Sequence, residues 1–293
     1  MKYTLPDYYI IEITSRCNFN CTICPHSFMP LSSLGDMSLS LFERILDQIA
    51  TSAKVIQLYW MGEPLLNPNV FQMVNLCKIK TNAKVIISTN GSMLTEQSIS
   101  SLVKNGLDEI VVSVDACDSQ KIYSEIRTNG NIKLLNSNIE LLLKNKGSMH
   151  VVLQFIDLFV NKEEREAFAN KWKNADCDIS FSCLYTWANQ LPSLRLASDH
   201  LSPVQYKKRI PCEDLWNKMT INHAGLISIC CFDWRLSNII GNCTKDSLID
   251  IWNGDIINKL RVLHKKGDFQ KILLCKGCEA WAEPDEYKIM YNL

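Results

Sequence analysis

Three cysteines fall within eight residues, as Cys17-Asn-Phe-Asn-Cys21-Thr-Ile-Cys24. Three thiolates on one short loop can hold three irons of a cubane and leave the fourth open to a small molecule. They could also form most of a zinc site, with His26 as a further ligand. Six more cysteines gather toward the C-terminus: Cys212, Cys230, Cys231, Cys243, Cys275 and Cys278. Cys212, Cys230 and the Cys275-Lys-Gly-Cys278 pair would supply four thiolates from three separated segments. Such a set closes the loops of a small unit around a metal group. A fully ligated cubane suits electron transfer better than substrate chelation, and structural zinc is the alternative.

The composition sets the frame for this chemistry. The chain has 293 residues, 13 of them cysteine, with 31 Lys+Arg against 31 Asp+Glu, so the net charge is zero. Such a chain offers no electrostatic footprint for nucleic acid or an anionic membrane. A hydrophobic content of 47% suffices for a packed core and excludes a disordered protein. Disulfide scaffolds are normally short secreted chains. Met1–Asp7 leads straight into a strand-like run with no secretory signal, and no apolar stretch nears the ~18 residues of a membrane helix. A cytoplasmic protein with reduced, metal-binding thiols is expected. Cys77, Cys117, Cys177 and Cys183 fall in helix, strand or loop patterns and read as inert thiols.

Strand and helix patterns alternate through the first two-thirds of the chain. Strands are expected at Tyr8–Thr14, Val55–Trp60, Lys84–Ser88, Glu109–Val114, His150–Asp157 and Ile179–Leu184. Helices are expected at Leu39–Ala50 (capped by Ser38 or Ser40), Asn69–Lys80, Thr95–Asn105, Ile132–Lys146 and Lys162–Asn174. Six βα units without a Rossmann glycine fingerprint suggest a partial (β/α)6 TIM-like barrel, whose site lies at the C-terminal strand ends. The pattern breaks at Trp187–Pro211, an irregular linker. A small α+β unit follows, with strands at Met219–Asn222 and Leu226–Cys230 and helices at Ser247–Trp252 and Asp255–Lys266. The expected division is 1–200 and 201–293. A unit of that size has few core residues, and a metal staple would compensate.

Read together, these motifs resemble the radical S-adenosylmethionine (radical SAM) superfamily. The cysteine triplet follows the first strand, Met61-Gly62-Glu63-Pro64 the second, and Ser88-Thr89-Asn90-Gly91 the third; Ser113-Val114-Asp115 ends the fourth. The resemblance covers about residues 8 to 160. It implies that Cys17, Cys21 and Cys24 hold a [4Fe-4S] cluster and that Gly62, Glu63, Pro64, Ser88, Asn90, Ser113, Asp115 and Arg127 contact SAM. Ile23 stands where the family often has an aromatic residue. Reductive cleavage of SAM would yield methionine and a 5′-deoxyadenosyl radical that abstracts hydrogen from a C–H bond. Trp216, Gly225, Gly241-Asn242, Arg261 and the terminal CxxC follow the order of the SPASM/twitch auxiliary domain. That likeness implies one auxiliary [4Fe-4S] cluster on Cys212, Cys230, Cys275 and Cys278. The single-cluster pattern is similar to that of aminocyclitol dehydrogenases, relative to which extra residues are expected before Cys212.

Four functions follow as expectations. The first is oxidation of a small polar substrate of sugar or aminocyclitol type, with a reductant such as flavodoxin or ferredoxin. A radical epimerase would use Cys231 or Cys243 as hydrogen-atom donor. A ribosomal-peptide-modifying enzyme is disfavoured, because only seven residues precede the first strand. A zinc-binding scaffold is the non-catalytic alternative. Glu12, His26, Tyr59, Trp60 and Asp233 are acid–base candidates, and Trp187 and Arg195 could line the substrate.

Overall fold

The structure, a computed structural model, describes residues 2–198 and 208–282. The expected division at 200/201 lies outside the described residues.

Six parallel strands run β1 (Tyr8–Ile11), β2 (Val55–Gln57), β3 (Lys84–Thr89), β4 (Glu109–Ser113), β5 (His150–Asp157) and β6 (Asp178–Cys183). Between them lie α1 (Leu39–Ile49), α2 (Val70–Lys80), α3 (Glu96–Lys104), α4 (Gln120–Ile126), α5 (Ile132–Asn145) and α6 (Glu164–Trp172). The expected Ile/Val runs become these strands because both sheet faces are covered, which removes strict alternation. Ser38 caps α1, accepting from the Leu41 amide at 3.2 Å. Thr95 and Ser98 form a capping box on α3. β1 ends three residues before the expected Thr14. There the chain leaves the sheet to pair with the following loop, Ser15 N–H bonding to Gly35 O and Met37 N–H to Ile13 O. α4 escapes the sequence reading because only Tyr123 and Ile126 of its seven residues are buried, too few to show a period.

The later elements are α7 (Asp214–Asn217), β7 (Lys218–Ile221), β8 (Leu226–Ser228), β9 (Ile239–Asn242), α8 (Leu248–Trp252), α9 (Asp255–Lys265) and α10 (Leu273–Lys276). β7 pairs parallel to β1, Tyr8 opposite Lys218 and Ile11 opposite Ile221. β8 and β9 continue antiparallel, so one nine-stranded sheet runs β6-β5-β4-β3-β2-β1-β7-β8-β9. β9 was not expected; its Gly241 lets α8 approach, since a Cβ there would lie 2.6 Å from Ile251.

Register decides which side chains face the site. Tyr9, Ile56, Ile87, Val112 and Leu153 point outward into the main core under the helices. Val55, Ile86, Val111 and Val152 point inward and form a second cluster with Tyr8 and Tyr59. At the N-terminal strand ends, Lys84, Glu109, His150 and Asp178 link into a chain of pairs at 2.8–2.9 Å. Toward the C-terminal ends the inward positions become Gln57, Ser88, Ser113, Gln154 and Ser182. Among the described residues, no helix is long and apolar enough to cross a membrane.

Candidate active site and cluster-binding sites

The cysteine triplet sits on the loop after β1. The Thr22 amide bonds to Ile126 O at 2.9 Å and its hydroxyl to Glu125 O at 3.0 Å, pinning the loop to the end of α4. Burial pushes the Cys17 thiol up to about 11 and the Cys24 thiol, which also faces Cys21 and Cys17, up to about 12. Sulfurs around one zinc ion lie about 3.8 Å apart, given Zn–S bonds near 2.3 Å. Among the described residues, the ligand-type trio converging within 4.8 Å is Asp214, Cys230 and Cys231, not the triplet. His26 does not join the triplet; its Nε2 donates to Ser15 O at 3.0 Å. The wider triplet fits a cubane better than a zinc ion.

The Met61–Pro64 loop presses against the start of this cysteine loop. A Cβ on Gly62 would lie 2.3 Å from Thr14 O and 2.7 Å from Arg16 O, so only glycine fits. Pro64 opens a buried 3-10 turn. Glu63 is 2% exposed, and burial raises its carboxyl pKa. It accepts from the Leu65 amide, Thr89 Oγ1 and the Asn90 amide at 2.7–3.1 Å, tying this loop to the end of β3. Asn90 in turn donates to Asn18 Oδ1 at 2.9 Å, with its Nδ2 3.9 Å from Cys17 Sγ. Asn18 donates to Ser92 Oγ at 2.9 Å. Ser88 and Ser113 lie half-buried on the inner sheet face.

Behind Cys21 is a buried ion pair. Asp115 follows β4 with φ 62°, a left-handed conformation that aspartate tolerates better than most residues. Its Oδ2 accepts from Arg127 Nε at 2.8 Å and Nη2 at 2.6 Å, and its Oδ1 from the Ile156 amide at 2.7 Å. Arg127 Nη1 reaches within 4.0 Å of Cys21 Sγ. Its charge opposes the burial that raises the Cys21 thiol.

The C-terminal cysteines converge as well. The Cys278 amide bonds to Cys275 O, and the Phe232 amide approaches Cys230 Sγ at 3.4 Å. Asp233 is fully buried and accepts from Ser228 Oγ and the Ser237 and Asn238 amides, so it organises the Cys230 loop. A hydrogen bond from Cys230 and the nearby Lys218 ammonium lower the Cys231 thiol pKa. Cys243 does not join this set; it is fully buried against Gly225. Glu12 is likewise engaged, holding the Met61 amide and His223 Nδ1.

Two tryptophans connect the thiol sets. Trp60 Nε1 donates to Cys231 O at 2.7 Å. Trp187 Nε1 donates to Ile23 O at 3.3 Å, and its ring meets Phe232 edge-on at 5.7 Å. Trp187, Ala188 and Asn189 all have positive φ. Three non-glycine residues in that region are costly, and the surroundings hold them there. Thr186 donates to Glu279 at 2.6 Å, Arg195 pairs with Glu279, and Gly277 lies so close that a Cβ would be 2.5 Å from Ala188 O.

A profile for the radical SAM superfamily matches residues 11–171, more than half of the chain. The chain belongs to the radical SAM superfamily. The SPASM profile, an iron-sulfur cluster-binding domain, matches residues 212–279. The chain is 23% identical over 290 residues to the S-adenosyl-L-methionine-dependent 2-deoxy-scyllo-inosamine dehydrogenase of Niallia circulans, covering 97% of this chain and 96% of that one. It is 26% identical to the tungsten-containing aldehyde ferredoxin oxidoreductase cofactor-modifying protein of Pyrococcus furiosus, covering 88% and 72%. Among solved structures, BtrN in complex with AdoMet and 2-DOIA matches with TM-score 0.65 and 21% identity over 94% of each chain. Native anSMEcpe with bound AdoMet matches with TM-score 0.65 and 16% identity, covering 96% of this chain and 93% of that one.

The fold is therefore the radical SAM partial barrel with a C-terminal SPASM domain, and the protein is an iron–sulfur enzyme that uses SAM. An iron–sulfur domain removes the zinc-scaffold alternative. Sequence reasoning missed Asn18 and Ser92 around Cys17, and His264 beside the C-terminal cysteines. Asn18 carried a signal in its adjacency to Cys17; His264 carried none beyond its place on a helix.

The thiol shifts make a stability prediction for the metal-free radical SAM chain. The ordinary thiol value is 9.0, and burial raises Cys17 and Cys24 to about 11 and about 12. The folded state holds these protons more tightly, so the contribution is full below pH 9 and disappears as pH rises through the folded values. Urea midpoints of metal-free protein should fall between neutral pH and about pH 10. Cluster-loaded protein, whose sulfurs are already thiolates, should show a smaller fall. Equal falls in both forms would contradict this.

Proposed function

We propose that this enzyme is an oxidoreductase that converts a hydroxyl-bearing carbon of a small polar substrate, of sugar or aminocyclitol type, to a carbonyl. Cys17, Cys21 and Cys24 hold the cluster at which SAM binds. Gly62, Glu63, Pro64, Ser88, Asn90, Ser113, Asp115 and Arg127 shape the SAM side of the pocket. Cys212, Cys230, Cys275 and Cys278 hold the auxiliary cluster. When bound, these groups supply the electron that cleaves SAM and accept the electron the substrate gives up. The substrate carbon loses one hydrogen atom, and one proton and one electron follow. A flavodoxin or ferredoxin supplies the reducing electron.

The observation that carries this reading is the neutral inner face of the sheet at its C-terminal ends. Gln57, Ser88, Ser113, Gln154 and Ser182 line it. Gln154 donates to Ser182 Oγ at 3.0 Å. Gln57 is 3% exposed and its Nε2 has no partner among the described residues, which leaves a donor for a ligand oxygen. Lys218, also on this face, is paired with Asp214 at 3.0 Å. Such a surface suits hydroxyls better than phosphates or carboxylates, which favour Arg. The name of the Niallia circulans relative, a 2-deoxy-scyllo-inosamine dehydrogenase, supports the same class. Glu63 also positions the loop, its oxygens accepting three protein donors and leaving Oε2 able to accept one more. The epimerase reading narrows to Cys231, because Cys243 is buried away from the other thiols.

Anaerobically reconstituted enzyme, given SAM, a reductant and 2-deoxy-scyllo-inosamine or related polyols, should form one 5′-deoxyadenosine per ketone. Product formed in D2O should carry no solvent deuterium. Gln57→Leu should raise KM roughly tenfold, the loss of about one hydrogen bond to a buried donor. One solvent deuterium in an epimerised product would overturn oxidation and favour Cys231 as donor.

A further inference from the structure

His264 joins two of the C-terminal cysteines from separated segments. It lies on the inward face of α9 and is 1% exposed. The Cys212 backbone amide lies 3.2 Å from its Nδ1, and its Nε2 lies 3.3 Å from Cys275 Sγ. The first contact fixes the second. A backbone amide can only donate, so Nδ1 is an unprotonated acceptor. In the neutral imidazole the hydrogen then sits on Nε2, pointing at the Cys275 sulfur. Phe269 stacks edge-on against the imidazole at 5.0 Å and holds its plane. Arg209 lies 4.4 Å over the other ring contact, Phe269, and donates to Cys275 O at 2.8 Å.

We propose that His264 is a positioning residue that sets the reduction potential of the auxiliary cluster through an N–H···S bond to Cys275. The inference rests on the reading above, in which Cys212, Cys230, Cys275 and Cys278 hold that cluster. A hydrogen bond to a ligand sulfur stabilises the reduced, more negative cluster and so raises its potential. The same ring fixes the Cys212 backbone relative to Cys275, holding two ligands in register. Arg209 adds a fixed positive charge on the same side, so the cluster is tuned toward accepting an electron from a substrate.

The test uses full-length protein with Cys17, Cys21 and Cys24 replaced by alanine, so that only auxiliary iron remains. Redox titration followed by EPR then reads one cluster. In His264→Asn the amide oxygen can replace Nδ1 as acceptor for Cys212, but nothing replaces the donor to Cys275. In His264→Gln the amide nitrogen can replace Nε2. His264→Asn should shift the midpoint to more negative potential by about tenfold in the redox equilibrium, about 59 mV for one electron. His264→Gln should restore most of it. An unchanged midpoint in His264→Asn, with auxiliary iron intact, would overturn the proposal. Loss of auxiliary iron in both variants would also overturn it, showing that His264 secures the ligands rather than tuning them. Absence of auxiliary iron in the triple-alanine parent itself would instead overturn the four-cysteine reading.

Discussion

Cys21→Ala should abolish SAM cleavage while leaving the auxiliary cluster in place. Cys21 is the most buried of the triplet, 8% exposed, and it faces the Arg127 guanidinium. Two ligands remain on the loop, too few to secure a cubane that already has an open iron. Iron content should fall from about eight to about four per chain, because each [4Fe-4S] cluster carries four. 5′-Deoxyadenosine formation should drop by more than about a thousandfold, the scale of losing a cofactor that carries the chemistry. The residual four irons are the informative part. The C-terminal thiols are held by their own contacts, Cys278 N–H to Cys275 O and Cys212 N–H to His264 Nδ1, which do not pass through the triplet. A colourless, iron-free Cys21→Ala protein would contradict an independent cluster on Cys212, Cys230, Cys275 and Cys278.

Asp115→Asn should destabilise the chain by about 3–5 kcal/mol, the cost of removing one partner from a buried ion pair. Asparagine tolerates the left-handed backbone at φ 62°, so the substitution removes charge without adding backbone strain. Arg127 is then left 8% exposed with no carboxylate. Adding Arg127→Met should recover much of the loss, since an apolar side chain leaves no buried unpaired charge. The urea midpoints of wild type, both single variants and the double variant close this cycle. Additive effects, with the double variant as unstable as the two losses combined, would show that the pair is not coupled. If Arg127 also helps hold SAM, the stable double variant should still bind SAM weakly, which separates the packing role from the binding role.

The cysteine spacing alone marked the two metal sites as candidates, and the alternating strand and helix patterns marked the order of the barrel units. A triplet with three- and two-residue gaps can meet one cluster wherever the loop lies, because its ligands are local in the chain. Likewise, the Ile/Val runs and their spacing specify six parallel strands, because burial on both faces is written into each segment separately. Even Gly62 could be singled out from the motif alone, although its reason, a clash with the Thr14 and Arg16 carbonyls, is tertiary.

What only the tertiary structure decided involves partners far apart in sequence. Nothing near Lys218 says that β7 will pair with β1, some 210 residues earlier, and so join the C-terminal unit to the core sheet. Nothing in the sequence distinguishes Cys243 from Cys231; one is packed under a hairpin and the other stands beside Cys230. That the Glu63 carboxylate holds Thr89 and the Asn90 amide, and so ties its loop to the end of β3, shows only in the fold. His264 was invisible because a histidine inside a helix carries no spacing signal. Its meaning comes from two cysteines, 52 residues before it and 11 after, that folding brings to its two nitrogens. Local spacing encodes ligand sets and element types; hydrogen bonds between distant segments decide which of those residues are positioned, paired or merely packed.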